Sequence, residues 1–171
     1  MIIDFPGSFN KQRKTVLFDR DGTINSDSGY TAFPTKPMLT KPFQDLISSN
    51  FPWDMVNFGI VSNQSGVARN KFSLEDMFNF NEDLKVLLSE NGIVVQIVVV
   101  CPHHPEENCS CRKPSPLMLS TAAILLGAEV SDVAFVGNTS SDRLAAQRAG
   151  MSYFDVNVPR SFESIHGWLG Q

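Results

Sequence analysis

Thr15-Val16-Leu17-Phe18-Asp19-Arg20-Asp21-Gly22-Thr23-Ile24-Asn25 sets the reading of the whole chain. Four apolar or β-favouring residues run straight into an aspartate, a second aspartate follows two positions later, and Gly22 and Thr23 break the run. The pattern predicts a buried strand delivering two carboxylates to its carboxyl end, where open parallel α/β sheets bind ligands. Asp19 at the tip is then a nucleophile or metal ligand, and Asp21 a proton donor to the same substrate. Gly22 supplies the backbone freedom for the turn beneath them. Read alone, D-x-D-G is equally an Asp-rich turn after a strand, so the rest of the chain has to decide.

Outward from this stretch, strand and helix patterns alternate. Ser26 to Pro42 is rich in Ser, Gly, Thr and Pro and reads as a loop over the strand ends. Pro42 to Asn50 reads as a short helix, Val56 to Ser62 as a second strand, and Ser73 to Asn91 as a capped amphipathic helix closed by Gly92. Its stripe of Met77, Phe80, Leu84, Leu87 and Leu88 is core packing. Val94 to Val100 lacks alternation, as expected of a strand covered on both faces. Leu117 to Leu126 reads as a helix, Val133 to Val136 as a strand, Ser141 to Ala149 as a helix, Tyr153 to Val156 as a last strand and Phe162 to Leu169 as a closing helix. This order predicts a parallel sheet with helices on both sides.

With 171 residues and 42% hydrophobic composition the chain can bury one core, so residues 15–171 are expected to form a single domain preceded by an N-terminal arm of residues 1–14. Fourteen Lys and Arg against eighteen Asp and Glu give a net charge of −4, with no long run of either sign. That balance argues against nucleic-acid or membrane-surface binding. The first fourteen residues lack the apolar core of a signal peptide, and no stretch approaches the roughly 18 apolar residues of a membrane span. A cytoplasmic monomer is the expectation.

Each strand tip carries polar groups. Ser62, Asn63, Gln64, Ser65 and Gly66 offer a hydroxyl, amides and backbone N–H groups, a donor set that suits phosphate oxygens and is also common in ordinary loops. Gly137-Asn138-Thr139-Ser140-Ser141-Asp142 opens a helix, where N–H groups and the dipole favour anions. The third tip is the most specific. Cys101, His103, Cys109 and Cys111 form C-x-H-x5-C-x-C and hold all three cysteines of the chain within eleven residues. Three thiolates and one imidazole make a closed structural zinc set with no open position for water, whereas a disulfide would leave one thiol over. Its expected task is to hold the loop that presents Arg112 and Lys113; His104 lies outside the pattern.

Together D-x-D-G-T, the serine of the second tip, the lysine of Arg112-Lys113-Pro114 and the patch at the fourth tip resemble, in order, the four motifs of the haloacid dehalogenase-like phosphatases. With Gly29-Tyr30, SNQSGVAR, CPHHP, CRKPSPLML and the zinc set, the resemblance narrows to the D-glycero-D-manno-heptose-1,7-bisphosphate 7-phosphatase and histidinol-phosphate phosphatase group, from about Thr15 to Gly150. It implies a Rossmann-like three-layer sandwich with a central parallel sheet and no large cap domain. It further implies that Asp19 takes the phosphoryl group as an aspartyl-phosphate and that Asp21 acts as general acid, then base. Magnesium is implied on Asp19, the backbone carbonyl of Asp21 and Asn138; Ser62, Asn63 and Lys113 on the transferring phosphoryl; and Asp27, Ser28, Gly29, Tyr30, Gln64, Ser65 and Arg112 on the rest of a small phosphorylated substrate.

Two positions depart from the family pattern. Asn138 stands where an aspartate is usual, with Thr139 where a lysine is often found, so the metal site loses a formal charge. Asp142 is placed to make up part of it, through metal-bound water or by pairing with Lys113. The five residues between His103 and Cys109 match the histidinol-phosphate branch better than many heptose phosphatases. A magnesium-dependent sugar-phosphate phosphatase is therefore the expectation. The alternatives are a histidinol-phosphate phosphatase, a nucleic-acid 3′-phosphatase that the acidic balance disfavours, and a zinc-stabilised binding protein that has lost turnover at Asn138.

Overall fold

The computed structural model describes all residues except 6–8, 27, 28, 31, 33, 34, 50, 159 and 171, and only the backbone at 162. Six strands are β1 (Ile2–Asp4), β2 (Lys14–Phe18), β3 (Val56–Asn63), β4 (Val95–Cys101), β5 (Val133–Gly137) and β6 (Ser152–Asp155). Among the described residues five α-helices accompany them: α1 (Lys41–Ser48), α2 (Leu74–Glu90), α3 (Leu117–Leu125), α4 (Ser140–Ala149) and α5 (Ser161–Leu169). The sheet runs β1-β4-β3-β2-β5-β6 and is parallel except for β1, which pairs antiparallel with β4. Within the expected N-terminal arm, Ile2–Asp4 thus add an edge strand to the sheet, and Asp4 is tied to α2 by Lys85 at 2.8 Å.

The period-two geometry of the strands divides the core in two. Val16 and Phe18 of β2, Phe58 and Ile60 of β3, Val98 and Val100 of β4 and Val136 of β5 face one layer, which α1, α2 and α5 cover through Phe43, Leu46, Met77, Leu84, Leu88, Ile165 and Trp168. Leu17, Val61, Ile97, Val99 and Phe135 face the other, covered by Met118, Leu119 and Ala122 of α3 and Ala145 and Ala146 of α4. The result is three layers. Phe18 anchors the first, stacked on Phe58 at 4.8 Å and edge-on to Phe43 at 5.6 Å.

Strand order places the ligand crevice. From β2 the chain steps one way to β3 and β4, then returns past β2 to β5 and β6, so the topology reverses between β2 and β5. In an open α/β sheet the crevice beyond the strand ends at that reversal accepts ligands. Asp19 lies at this point, its N–H donating to Val136 O at 2.8 Å. Among the described residues, no helix is long and apolar enough to cross a membrane.

Candidate active site

The chain turns sharply after Asp19. Ile24 and Asn25 N–H donate back to Arg20 O at 3.0 and 2.8 Å, and Gly22 N–H donates to Asn25 O at 2.7 Å. Gly22 has φ +77°, and a Cβ there would come within 2.2 Å of Asn138 Nδ2, so a glycine is required twice over. Asn138 therefore packs directly on the turn, and its Oδ1 accepts from Thr23 Oγ1 at 3.3 Å.

Lys113 enters from the loop after β4. Its ammonium, 3% exposed as a residue, contacts Asp19 Oδ1 at 2.6 Å, Asp142 Oδ1 at 2.7 Å and Val61 O at 3.0 Å. Asp142 is also the third residue of α4, and its Oδ2 accepts from Thr139 N and Oγ1 at 3.0 and 2.7 Å in a capping box. Of the two tasks expected of Asp142, this geometry gives it the pairing with Lys113. Two carboxylates thus share one ammonium out of water. Burial pushes Asp19 up to about 7; Lys113 opposes the rise, while Asp142 and Asp21 add to it. For Asp142 burial works upward as well, but Lys113 and the Thr139 bonds bring it below the usual carboxylate range.

The second strand tip turns inward more than the sequence implies. Asn63 spends its amide on the backbone of Lys113, accepting from its N–H at 3.0 Å and donating to its carbonyl at 3.2 Å. Gln64 donates through Nε2 to Asp21 Oδ2 at 2.7 Å and Ser62 Oγ at 2.8 Å, and its Oε1 accepts from Arg20 at 2.8 Å. Both amides position the groups that face the cleft. Arg20, which the sequence leaves unassigned, lies wholly buried beneath Asp21 and forks its carboxylate at 3.0 and 2.9 Å.

These groups surround a cleft of about 290 Å³. Asp19, Asp21, Ser62 and Lys113 line its floor, and Gly29, Tyr30, Asn63, Gln64 and Ser65 line it too, together with Gly66, Thr139 and Asp142. Tyr30 is half-exposed with φ 53°, and a Cβ on Gly66 would come within 2.2 Å of the Phe72 ring and 3.0 Å of the Tyr30 ring, so the glycine makes room for Phe72 first and Tyr30 beside it. Arg112 and Asn138 are not among the lining residues; Arg112 Nη1 is buried without a hydrogen-bond partner among the described residues. Asp27 and Ser28 lie outside the described residues.

The donor atoms of Cys101, His103, Cys109 and Cys111 all lie within 4.8 Å of one another. Cys101 Sγ is 3.4 Å from His103 Nδ1 and 3.5 Å from Cys109 Sγ, and Cys111 Sγ is 3.2 Å from His103 Nδ1 and 3.7 Å from Cys109 Sγ. Tetrahedral zinc with the usual Zn–S and Zn–N bonds has edges of about 3.5–3.8 Å, and these four separations lie within a few tenths of an ångström of that. The set fits zinc, and the cysteines are unpaired. His104 instead accepts from Glu106 N–H and caps the short turn Pro105–Glu107. Because Lys113 follows Cys111 by two residues, a metal held there would fix the root of that lysine. We expect one zinc per chain by elemental analysis. Cys109→Ser is expected to lose it and to cost activity together with local protection of this loop in hydrogen exchange, because structural zinc binding is coupled to folding. Metal-free protein that keeps both would contradict the assignment.

The second metal site is tested by its electrostatics. Asp19, with a carboxyl held up near 7 by burial, is a carboxylate short of positive charge. The oxygens offered to it are its own carboxylate, the Asp21 carbonyl and the Asn138 amide oxygen, which accepts from Thr23 Oγ1 at 3.3 Å, a set of the hard donors that magnesium prefers. These residues fit the ion.

A cleft of about 290 Å³ at the reversal point of the sheet in a three-layer sandwich, lined by both aspartates of D-x-D and a buried lysine, is the arrangement of a hydrolase of the haloacid dehalogenase-like class. The HAD-hydrolase-like family model matches residues 110–157. The chain is 38% identical over 107 residues, 63% of its length and 73% of the relative's, to a probable D-glycero-D-manno-heptose-1,7-bisphosphate 7-phosphatase of Thermoplasma volcanium. It is 31% identical over 157 residues, 81% of its length and 78% of the relative's, to the D-glycero-beta-D-manno-heptose-1,7-bisphosphate 7-phosphatase of Vibrio cholerae. Among solved structures, a putative HAD-like phosphatase from Mesorhizobium loti superposes with TM-score 0.83 at 25% identity, covering 98% of this chain and 91% of that one. The D,D-heptose 1,7-bisphosphate phosphatase of B. bronchiseptica, complexed with magnesium and phosphate, gives 0.74 at 27% identity over 90% and 86%. The chain belongs to the D-glycero-D-manno-heptose-1,7-bisphosphate 7-phosphatase family of haloacid dehalogenase-like phosphatases.

Proposed function

We propose that the protein hydrolyses one phosphate monoester of a heptose bisphosphate in two steps, with Asp19 as nucleophile and Asp21 as acid and base. The observation that carries this is the contact of buried Asp19 with Lys113 at the topological reversal of the sheet. In the first step an Asp19 oxygen attacks phosphorus, the ester P–O bond breaks, and the leaving oxygen takes a proton from Asp21. In the second, water attacks the same phosphorus, Asp21 takes its proton, and inorganic phosphate and the Asp19 carboxylate are restored. Lys113 supplies fixed positive charge to the phosphoryl oxygens. Ser62 Oγ accepts from Gln64, which leaves its own hydroxyl proton for one of them. Asn63 holds the Lys113 backbone in place, and Tyr30, Gly29 and Ser65 at the rim take the rest of the substrate, to which Arg112, outside the lining, is assigned on sequence alone. Asp27 and Ser28 are assigned to the substrate on sequence alone. Magnesium bound by Asp19, the Asp21 carbonyl and Asn138 would neutralise phosphoryl oxygens that otherwise repel a carboxylate nucleophile.

The test is phosphate release from heptose 1,7-bisphosphate, histidinol phosphate and an aryl phosphate across a magnesium titration. Heptose 1,7-bisphosphate is expected to give the highest kcat/KM; a preference for histidinol phosphate would move the enzyme to the sister specificity. Because an amide is a weaker ligand for a hard cation than a carboxylate, Asn138→Asp is expected to lower the magnesium concentration for half-maximal rate. Equal titration curves would show that position 138 does not touch the metal.

A further inference from the structure

Arg20 sits between the two aspartates in sequence, where a charged side chain is expected to point to solvent, yet it is 0% exposed. A guanidinium is kept out of water only by bonds to its N–H groups. Nε and Nη2 fork the two oxygens of Asp21 at 3.0 and 2.9 Å, Nη1 donates to Asn81 Oδ1 at 3.0 Å, and Nη2 also donates to Gln64 Oε1 at 2.8 Å. Its centre lies 4.7 Å from the centroid of Phe80, over the ring. Asn81 and Phe80 are both buried on α2, so that helix orients a guanidinium under the cleft floor.

We infer that Arg20, braced by Asn81, is the positioning residue for Asp21: it fixes the plane of the carboxylate from below so that the exposed edge meets the leaving oxygen. Gln64 completes the bracket through its 2.7 Å bond to Asp21 Oδ2, and Asn25 Nδ2 approaches Oδ1 at 3.4 Å. With both oxygens held from the protein side, 20% of the Asp21 side chain remains open to the cleft. Arg20 touches no substrate; it acts through Asp21. A purely structural role for the same ion pair would stabilise the loop and scale all reactions alike. A positioning role has a different signature, because proton donation matters only when the leaving group needs it. An alkoxide is expelled poorly without a proton, whereas a nitrophenolate leaves unaided.

The inference rests on the proposed role of Asp21, and the experiment separates the two. Compare kcat/KM for an alkyl phosphate, the heptose bisphosphate or glycerol phosphate, with that for p-nitrophenyl phosphate in the natural protein, Asp21→Asn, Arg20→Lys and Asn81→Ala. Lysine keeps the charge but cannot fork Asp21 while bonding Asn81 and Gln64. In Arg20→Lys the alkyl ester is expected to lose about tenfold more than the aryl ester, part of the roughly 10² to 10⁴ available to general acid catalysis. Asn81→Ala, which removes one partner of the guanidinium and keeps the ion pair with Asp21, should move the ratio the same way by a smaller factor; it carries the test if Arg20→Lys does not fold. Equal losses for both esters, or none, in folded variants would overturn the positioning role while leaving Asp21 as the acid. If Asp21→Asn itself shows no difference between esters, the reading of Asp21 fails and the inference with it.

Discussion

Asp19→Asn is expected to abolish turnover and, in magnesium-free protein at pH 7, to raise the melting temperature by about 3–6 °C, or ~1–2 kcal/mol. The amide keeps the shape of the carboxylate and can still accept from Lys113, but it cannot attack phosphorus. The gain in stability follows from the pKa. Burial, resisted by Lys113 and reinforced by Asp142, raises the Asp19 carboxyl from 3.8 to about 7 in the folded protein. The folded state therefore holds a proton that the unfolded chain has released between about pH 4 and 7, and stability falls as pH rises through that window. The natural protein should lose stability from pH 4 to 7 relative to Asp19→Asn, with the difference levelling off above 7, and magnesium should narrow it. Thermal melts of both proteins across this range, with and without magnesium, provide the check. A destabilised variant with no pH-dependent difference would show that Asp19 is not held under charge stress, and retained turnover would remove it as nucleophile.

Lys113→Met is expected to be the most damaging single change in the cleft. It leaves Asp19 Oδ1 and Asp142 Oδ1, each within 2.7 Å of the same ammonium, facing one another without a cation. Breaking one partner out of a buried ion cluster typically costs about 3–5 kcal/mol, and loss of a fixed charge on the phosphoryl group about 10² to 10³ in rate. The pH dependence has a sign. Asp142 is held below its ordinary 3.8 against its own burial, so its contribution to stability is present above the unfolded value and lost as pH falls through the folded one. Removing Lys113 takes that contribution away, so the variant should be destabilised most at neutral pH and least at values well below pH 4, where both carboxyls are protonated in the natural protein as well. Combining Lys113→Met with Asp19→Asn should restore much of the stability and none of the activity, because the two changes share one contact. Additive losses in denaturant unfolding would show that the two groups are not coupled.

The strands were legible because each is a short apolar run closed by polar residues, and a strand buried on both faces has no need to alternate. The zinc set was legible because its ligands lie within one loop, so spacing alone brings them together. The edge strand β1 was not: three residues carry too little pattern, and its partner β4 lies more than ninety positions away. Nor were the inward roles of Asn63, Gln64 and Arg20. Sequence marks these as polar groups at a strand tip, but whether an amide faces the cleft or a neighbour depends on which side chains arrive from elsewhere. Lys113 comes from the loop beyond β4 to meet Asn63, and Asn81 comes from α2 to meet Arg20. Asp142 was legible as a source of charge near the helix start, and tertiary placement made Lys113 its partner.

Whether Asp19 carries the phosphoryl group is decided by quenching the enzyme in acid during turnover of heptose 1,7-bisphosphate with magnesium and mapping phosphorylated peptides by mass spectrometry. Phosphate release is expected together with one phosphoryl group on Asp19, trapped more fully in Asp21→Asn supplied with p-nitrophenyl phosphate, whose leaving group needs no proton while the base for the second step is missing. Phosphate release with Asp19 unmodified at every quench time, or with the phosphoryl group on another residue, would contradict that role of Asp19.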